Sequence, residues 1–230
     1  YLDMKVKIKI PETLADISLA QYQAFLERSE GKSDSELEEV MIECLCGYDL
    51  DVIKMFERKD VQEVAQHLNS LFTGSYSFIQ RFKIKDVEFG FIPNLDKITQ
   101  GEFIDLDTYY SDWSNAHKTM AVLFRPITTK VGEQYQVTEY TGTEEFSELM
   151  QFMPLDVALG AYVFFYNLGN ELVNSTLEYL TEQTVEMATA SKHNSMQSGD
   201  GITASIHSQV ETLQSLTEQS VSMYTKHLPF

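Results

Sequence analysis

The sequence PLDVALGAYVFFYNL, residues 154–168, decides the fold that we expect for this chain. Proline suits the first turn of a helix, where its missing N–H would have no partner. Asp156 follows at a point where the positive end of the helix dipole favours a carboxylate. From Val157 to Leu168 nearly every side chain is apolar or aromatic. A helix that is apolar all round is buried on all sides, so this segment is predicted to be the central helix, which continues along a surface to Met187.

Capping boxes predict the starts of three further helices. In this pattern a Ser or Thr, and the Glu or Gln three residues later, bond each other's backbone N–H groups. The pattern occurs at Ser18, Ser33 and Thr99. Apolar residues at helical spacing follow each box, and residues 12–73 are predicted to form a compact helical bundle. The helix after Thr99 is expected to carry Phe103 among its apolar residues.

The β structure is expected to be minor. Lysine and apolar residues alternate over 5–10, which is the period of a strand with one apolar face, and Met4 before this run is expected to be the natural start. One or two short strands are predicted around Lys85 and Asp86, and turn residues predict a hairpin near Gly132. The expected fold class is therefore mainly α (α+β with small β-hairpins), a helical bundle around a long central helix with a short N-terminal strand.

Shifts of composition along the chain predict its domains. A helix-rich core domain is expected over residues 4–190, and a sub-boundary could fall near 74–80. Residues 191–201 are rich in Ser, Asn and Gly and predict a flexible linker. Residues 202–226 predict an amphipathic helix that is too lightly apolar to fold alone, so it must pack on this chain, on a partner or on a second copy. The residues expected to bind a partner are Ile202, Ile206, Val210, Leu213, Leu216, Leu228 and Phe230.

The net charge argues against one class of partner. The chain has 17 Lys and Arg against 35 Asp and Glu, which gives a formal net charge of −18. Contacts to phosphate need cationic side chains, so direct nucleic-acid binding is not expected. Such a charge suits solubility or a basic partner surface. The apolar run in 157–168 is too short to span a bilayer, and no membrane association is expected.

Two cysteines and one arginine have structural interpretations. Cys44 and Cys46 form a C-x-C pattern within a predicted helix, where side chains two positions apart point in different directions. A disulfide between them is therefore not expected, and both are interpreted as small buried side chains in a reducing compartment. Arg125 is expected to act as a structural clamp by pairing with a buried carboxylate.

Enzymatic chemistry has a single candidate in the sequence. His117 follows Glu102 and Asp105, and imidazole and carboxylate ligands can occur together in metal sites. No spacing places these side chains on one face, however, and the acidic residues are more simply the solvated face of a helix. No nucleophile, phosphate-loop or dinucleotide motif is found. We therefore expect no enzyme, no cofactor and no catalytic or metal-binding residue.

Four motifs of the chain resemble a group of little-characterised proteins from tailed bacteriophages. They are FGFIPNL at 89–95, GEFIDL at 101–106, AVLFRPI at 121–127 and MPLDVALG at 153–160. The segments IPETL at 10–14 and ISLAQY at 17–22 are similar to the start of phage tail assembly chaperone-like proteins. The resemblance covers most of residues 4–180, and its motifs are structural rather than catalytic.

The resemblance implies a non-enzymatic protein of tail or virion assembly, similar to a tail assembly chaperone. The expected partners are other phage structural proteins of the tail or neck, or a second copy of the chain, and the expected location is the host cell cytoplasm or the virion. The segment past the linker departs from a minimal chaperone domain, which leaves a permanent virion component, such as a connector or packaged protein, as an alternative. An acidic inhibitor that mimics DNA is a further alternative, and it would need carboxylates in a spaced double row.

Overall fold

The computed structural model describes residues 9–168 and the separate positions 171, 175, 178 and 179. Of the predicted strand 5–10, only Lys9 and Ile10 are described, and neither belongs to a strand. The predicted linker, the predicted C-terminal helix and the seven residues expected to bind a partner lie outside the described residues, and they stay predictions.

Eight α-helices occur within the described residues. Their bounds are α1 Leu19–Ser29, α2 Asp34–Cys46, α3 Leu50–Ile53, α4 Arg58–Leu71, α5 Gln100–Tyr109, α6 Ala116–Leu123, α7 Ser147–Met150 and α8, described over 155–168. The capping boxes at Ser18, Ser33 and Thr99 are all present, so these three predicted helix starts are confirmed. Helix α2 packs against both α1 and α4.

Four antiparallel strands form one sheet in the order β1-β2-β3-β4. Their bounds are β1 Arg81–Ile84, β2 Val87–Phe91, β3 Phe124–Val131 and β4 Gln134–Val137. Strands β1 and β2 form a hairpin around Asp86, where one or two short strands are predicted, and β3 and β4 form the hairpin predicted near Gly132. The φ angle of Gly132 is 62°, which glycine adopts without strain.

The predicted fold class is wrong, because the two hairpins are halves of a single sheet. The protein is α+β, with helices and a four-stranded antiparallel sheet, and not a helical bundle with one N-terminal strand. Strand β2 joins strand β3 in the register Phe89↔Pro126 and Phe91↔Phe124. These pairs lie far apart in the chain, so local periodicity, which finds single strands and hairpins, does not encode them.

Buried phenylalanine rings stabilise the junction between the two hairpins. The rings of Phe82 and Phe91 each lie 5.3 Å from the ring of Phe124, in edge-to-face contacts. All three side chains are at most 8% exposed. Aromatic pairs in this geometry stabilise a core beyond the area that they bury, so the rings supply a physical reason for the pairing of β2 with β3.

Helix α8 is fully buried along its first half only. Residues 157–162 are buried, residues 163–166 are half-buried, and Leu168 is exposed. The prediction of burial on all sides is therefore wrong beyond Tyr162. The compact unit that contains α1 to α7 and the sheet ends at Ala161, and Tyr162 begins a second unit. Within the second unit the rings of Phe164 and Phe165 lie 5.5 Å apart.

Backbone hydrogen bonds tie the start of α8 to the start of α1. The N–H of Leu19 donates to the carbonyl of Met153, and the N–H of Leu155 donates to the carbonyl of Ile17, each at 2.9 Å. All four residues are fully buried. Buried backbone groups that lose a partner carry a desolvation cost, so these bonds hold the two helix starts at a fixed separation.

Gly160 lets α8 approach the segment before β1 closely. A Cβ atom at this position would lie 2.3 Å from the carbonyl oxygen of Ser77 and 3.1 Å from its carbonyl carbon. Both are backbone atoms, which cannot turn aside as the end of a flexible side chain can. The contact therefore requires a residue without a side chain at position 160.

We expect Gly160→Ala to destabilise the protein by about 1–3 kcal/mol, because the added methyl group overpacks a backbone contact. This loss opposes the higher helix propensity of alanine, which by itself would stabilise by about 1 kcal/mol. Urea unfolding followed by the fluorescence of Trp113 measures the change. In the control Gly74→Ala the new Cβ meets nothing within 4 Å, and we expect little change. Equal stabilities of the two variants would contradict the close approach.

Candidate functional site

Helix α5 is oriented with an acidic residue inward and apolar residues outward. Glu102 is its buried residue, with 3% of its surface exposed. Phe103 and Ile104, the next two residues, are 56% and 52% exposed. Carboxylates are rarely fully buried unless they are paired, so this orientation requires a specific partner for Glu102.

Both oxygens of the Glu102 carboxylate are occupied. Oε2 accepts a hydrogen bond from the backbone N–H of Thr99 at 2.6 Å, and the Thr99 hydroxyl accepts one in return from the N–H of Glu102 at 3.3 Å. Oε1 lies 2.7 Å from Nη2 of Arg125. The same carboxylate therefore caps α5 and joins that helix to strand β3.

Arg125 is held between α5 and the segment that follows β4. Its side chain is 9% exposed, and that of Glu102 is 5% exposed. The Arg125 guanidinium lies 5.7 Å from the ring centre of Tyr140, within the range of a cation–π contact. The Tyr140 hydroxyl donates to Oδ2 of Asp105. Burial raises the pKa of the Tyr140 phenol, and its hydrogen bond to Asp105 raises it further, so the phenol keeps its proton and remains a donor.

The sequence predicted the role of Arg125 but not the burial of its partner Glu102. The expectation that Arg125 clamps a buried carboxylate is confirmed. The expectation that the acidic residues form a solvated helix face is wrong for Glu102, which is buried, and for Asp105, which is half-buried against Tyr140. Acidic and apolar residues alternate along α5, so both occur on each side of the helix, and its sequence prefers neither side. The exposure of Phe103 and Ile104 was missed for the same reason.

A small open pocket lies beside the first turn of α5. Its volume is about 310 Å³, and Glu102 and Arg125 contribute to its wall together with Ile92, Pro93, Asn94, Lys97, Ile98, Gln136 and Val137. A second pocket of about 470 Å³ lies along the β3–β4 hairpin, lined by residues that include Thr129, Glu133 and Tyr135. The walls of both are mixed polar and apolar, and neither contains a cysteine or a histidine.

Glu102 and Asp105, which were considered as partners of His117, contact other side chains. The amide nitrogen of Gln23 donates to the carbonyls of Trp113 and Ser114 at 2.7 and 2.8 Å, and it also lies 3.1 Å from Nδ1 of His117. Burial lowers the pKa of His117, and Lys118 lowers it further, so the ring is neutral at pH 7. Glu102 is engaged by Arg125 and Thr99 instead. Within the part of the chain that the structure describes, no group of three or more His, Cys, Asp or Glu residues could hold a metal ion.

The two cysteines are free thiols, as predicted. Cys44 is buried and Cys46 is half-buried. Burial raises the pKa of Cys44 and raises that of Cys46 to about 11. Since the thiolate is the nucleophile, neither side chain is prepared for covalent catalysis at neutral pH.

The two faces of α5 are the features from which a function can be inferred. No family model, curated protein or solved structure matches this chain. A proposal for the function therefore rests on the four phage-like motifs and on the chemistry of the described residues. Among those residues, no helix is both long enough and apolar enough to cross a membrane.

We expect Arg125→Met to destabilise the protein by about 3–5 kcal/mol, because it leaves the Glu102 carboxylate buried without a cation. Adding Glu102→Gln should recover part of this loss, since the amide oxygen can still cap α5. Urea unfolding measures both variants. The matched control is Lys59→Met, which removes a pair with Glu63 in which the side chains are 80% and 63% exposed; it should change stability by no more than about 0.5 kcal/mol. Similar losses of stability for Arg125→Met and Lys59→Met would mean that the buried pair stabilises the protein no more than an exposed pair does.

The thiol of Cys46 should react slowly near neutral pH. In a Cys44→Ser variant at about pH 7.5, we expect an aromatic disulfide reagent to react about tenfold more slowly than with a thiol of ordinary pKa 9.0. The raised pKa makes the Cys46 thiolate about 100-fold scarcer, while a more basic thiolate is about tenfold more nucleophilic. The rate should still rise about tenfold per pH unit above pH 9, where an ordinary thiol levels off. The urea-unfolded variant is the control. A plateau near pH 9 in the folded protein would contradict the burial of this thiol.

Proposed function

We propose that this protein is a non-enzymatic morphogenesis protein of a tailed phage, which binds another phage protein in the manner of a tail assembly chaperone. The observation that carries the proposal is the outward face of α5, where Phe103 and Ile104 are more than half exposed. Neighbouring large apolar side chains at the surface are typical of protein–protein interaction sites. The motif GEFIDL at 101–106, which resembles the phage proteins, contains both residues.

The position of α5 supports a binding role for this face. The helix is fixed by the capping box at Thr99, by the ion pair of Glu102 with Arg125 and by the hydrogen bond from Tyr140 to Asp105. Its apolar residues therefore stand on a rigid element. Rigid elements present a binding surface without the entropy cost of ordering a loop.

The reactive groups of the described residues support a non-enzymatic role. Within the described residues, His117 belongs to no group of three or more His, Cys, Asp or Glu side chains that could hold a metal ion. The thiols of Cys44 and Cys46 have raised pKa values because they are buried. An activated cysteine nucleophile would need a lowered pKa or an adjacent base, whereas the pKa values of both thiols are raised.

The arrangement of carboxylates disfavours the DNA mimic. Such a mimic needs free carboxylates in an ordered double row, whereas many carboxylates here are bound within the protein. Some receive hydrogen bonds at helix and turn starts, namely Asp16, Glu36, Glu102 and Asp112. Others form ion pairs with Arg or Lys, namely Glu38, Glu43, Glu88 and Glu133.

The proposal is tested by comparing two fractions of phage-infected cells. An affinity-tagged full-length chain is recovered from the lysate, and purified particles are analysed beside it by mass spectrometry. We expect the recovered chain to carry a structural protein of the tail or neck, and we expect mature particles to be depleted of the chain, since a chaperone leaves after assembly.

The tag expressed alone is the control for recovery. Abundant copies of the chain in mature particles would contradict the chaperone and favour the alternative, a permanent virion component such as a connector or packaged protein. Recovery of the chain without any phage structural protein would contradict both.

A further inference from the structure

We propose that the outer face of α5, formed by Phe103, Ile104 and Asp107, binds a cationic amphipathic helix of the partner protein. This inference rests on the proposed function and names the chemistry of the partner. Asp107 follows Phe103 by four positions and Ile104 by three, so the three side chains lie on the same side of the helix. All three are exposed.

Asp107 provides the charge of this face. The segment 98–115 contains the carboxylates of Glu102, Asp105, Asp107 and Asp112 and has no Lys or Arg. Three of them are engaged: Glu102 by Arg125, Asp105 by Tyr140, and Asp112 by the start of the short helical turn that it caps. The side chain of Asp107 makes no hydrogen bond or ion pair within the described residues. An exposed carboxylate next to an apolar pair therefore remains for a partner.

A partner suited to this face combines apolar and cationic side chains. Apolar residues at helical spacing can cover Phe103 and Ile104, as amphipathic helices do when they dock on apolar surfaces. A lysine or arginine at the edge of that stripe can pair with Asp107. The formal net charge of −18 adds a longer-range attraction that speeds the approach of a cationic segment.

The same charge disfavours two other occupants of the face. A second copy of the chain would bring another −18 to the contact, and like charges suppress association. A membrane surface with anionic lipids would repel the carboxylates for the same reason. A cationic protein segment is the occupant that the electrostatics favour.

The test uses the full-length chain and a designed peptide of about 18 residues, which is long enough to form a helix. The peptide has leucine along one face and lysine elsewhere, and its binding is followed by fluorescence anisotropy. We expect the double variant Phe103→Ser/Ile104→Ser to bind about tenfold more weakly or worse, because it loses both apolar anchors. Asp107→Lys should also weaken binding, and added salt should weaken the unaltered protein more than this variant.

The matched control is Met55→Ser, which removes another apolar side chain, 78% exposed, from the loop after α3; it should leave the affinity within about twofold. A peptide of the same composition with scattered leucines controls for simple charge attraction and should bind at least about tenfold more weakly. Equal affinities for the two peptides, or for the unaltered chain and the double variant, would overturn the inference. Circular dichroism should show that the double variant and Met55→Ser keep the fold, since the replaced side chains are exposed.

Two further outcomes separate this inference from the proposed function. If the double variant still recovers the same tail or neck protein from infected cells, the face is not the docking site, while the proposed function stands. If the unaltered chain recovers no phage structural protein, the proposed function fails whatever the peptide does.

If the double variant converts a dimer into a monomer in analytical ultracentrifugation, the face binds a second copy and the inference is wrong.

Discussion

The ion pair between Glu102 and Arg125 sets the orientation of α5, and the candidate binding face depends on it. The carboxylate caps the helix through Thr99 and pairs with Nη2 of the guanidinium on β3, whose Nε is buried without a hydrogen-bond partner. A buried pair of this kind contributes little net stability compared with apolar packing, but it is costly to break. Its effect is to specify which side of α5 faces inward, and thereby to turn Phe103 and Ile104 toward solvent.

The sheet that carries Arg125 depends in turn on apolar contacts. The rings of Phe82, Phe91 and Phe124 pack at the junction of the two hairpins. Arg125 follows Phe124 directly, and it pairs across the sheet with Gly90. Gly90 is itself covered by the ring of Tyr135 from β4, which would lie 2.5 Å from an added Cβ atom. The strand register therefore places Arg125 next to α5, where the Glu102 carboxylate pairs with it.

The exposed apolar residues of α5 and the net charge of the chain both fit the proposed binding role. Exposed apolar side chains are a liability for a protein in water unless a partner covers them. Here they stand beside the carboxylate of Asp107 on a chain of high negative charge, and like charges oppose self-association. The combination suits a protein that stays dispersed until it meets a cationic partner. The thiols of Cys44 and Cys46 have raised pKa values because they are buried, so both favour the protonated form, which is not the nucleophile.

The sequence by itself determined the local features. The capping boxes at Ser18, Ser33 and Thr99 and the hairpin turn at Gly132 were readable because their partners lie within a few residues. Arg125 was recognised as a clamp because a cation between apolar residues needs a counterion. Only the tertiary structure decided that the hairpins join into one sheet, that α8 is fully buried no further than Tyr162, and that Glu102 is the counterion. Each of these rests on contacts between distant parts of the chain. In α5, alternating acidic and apolar residues leave no preferred face, so the position of Arg125 in the folded sheet decides which side is buried.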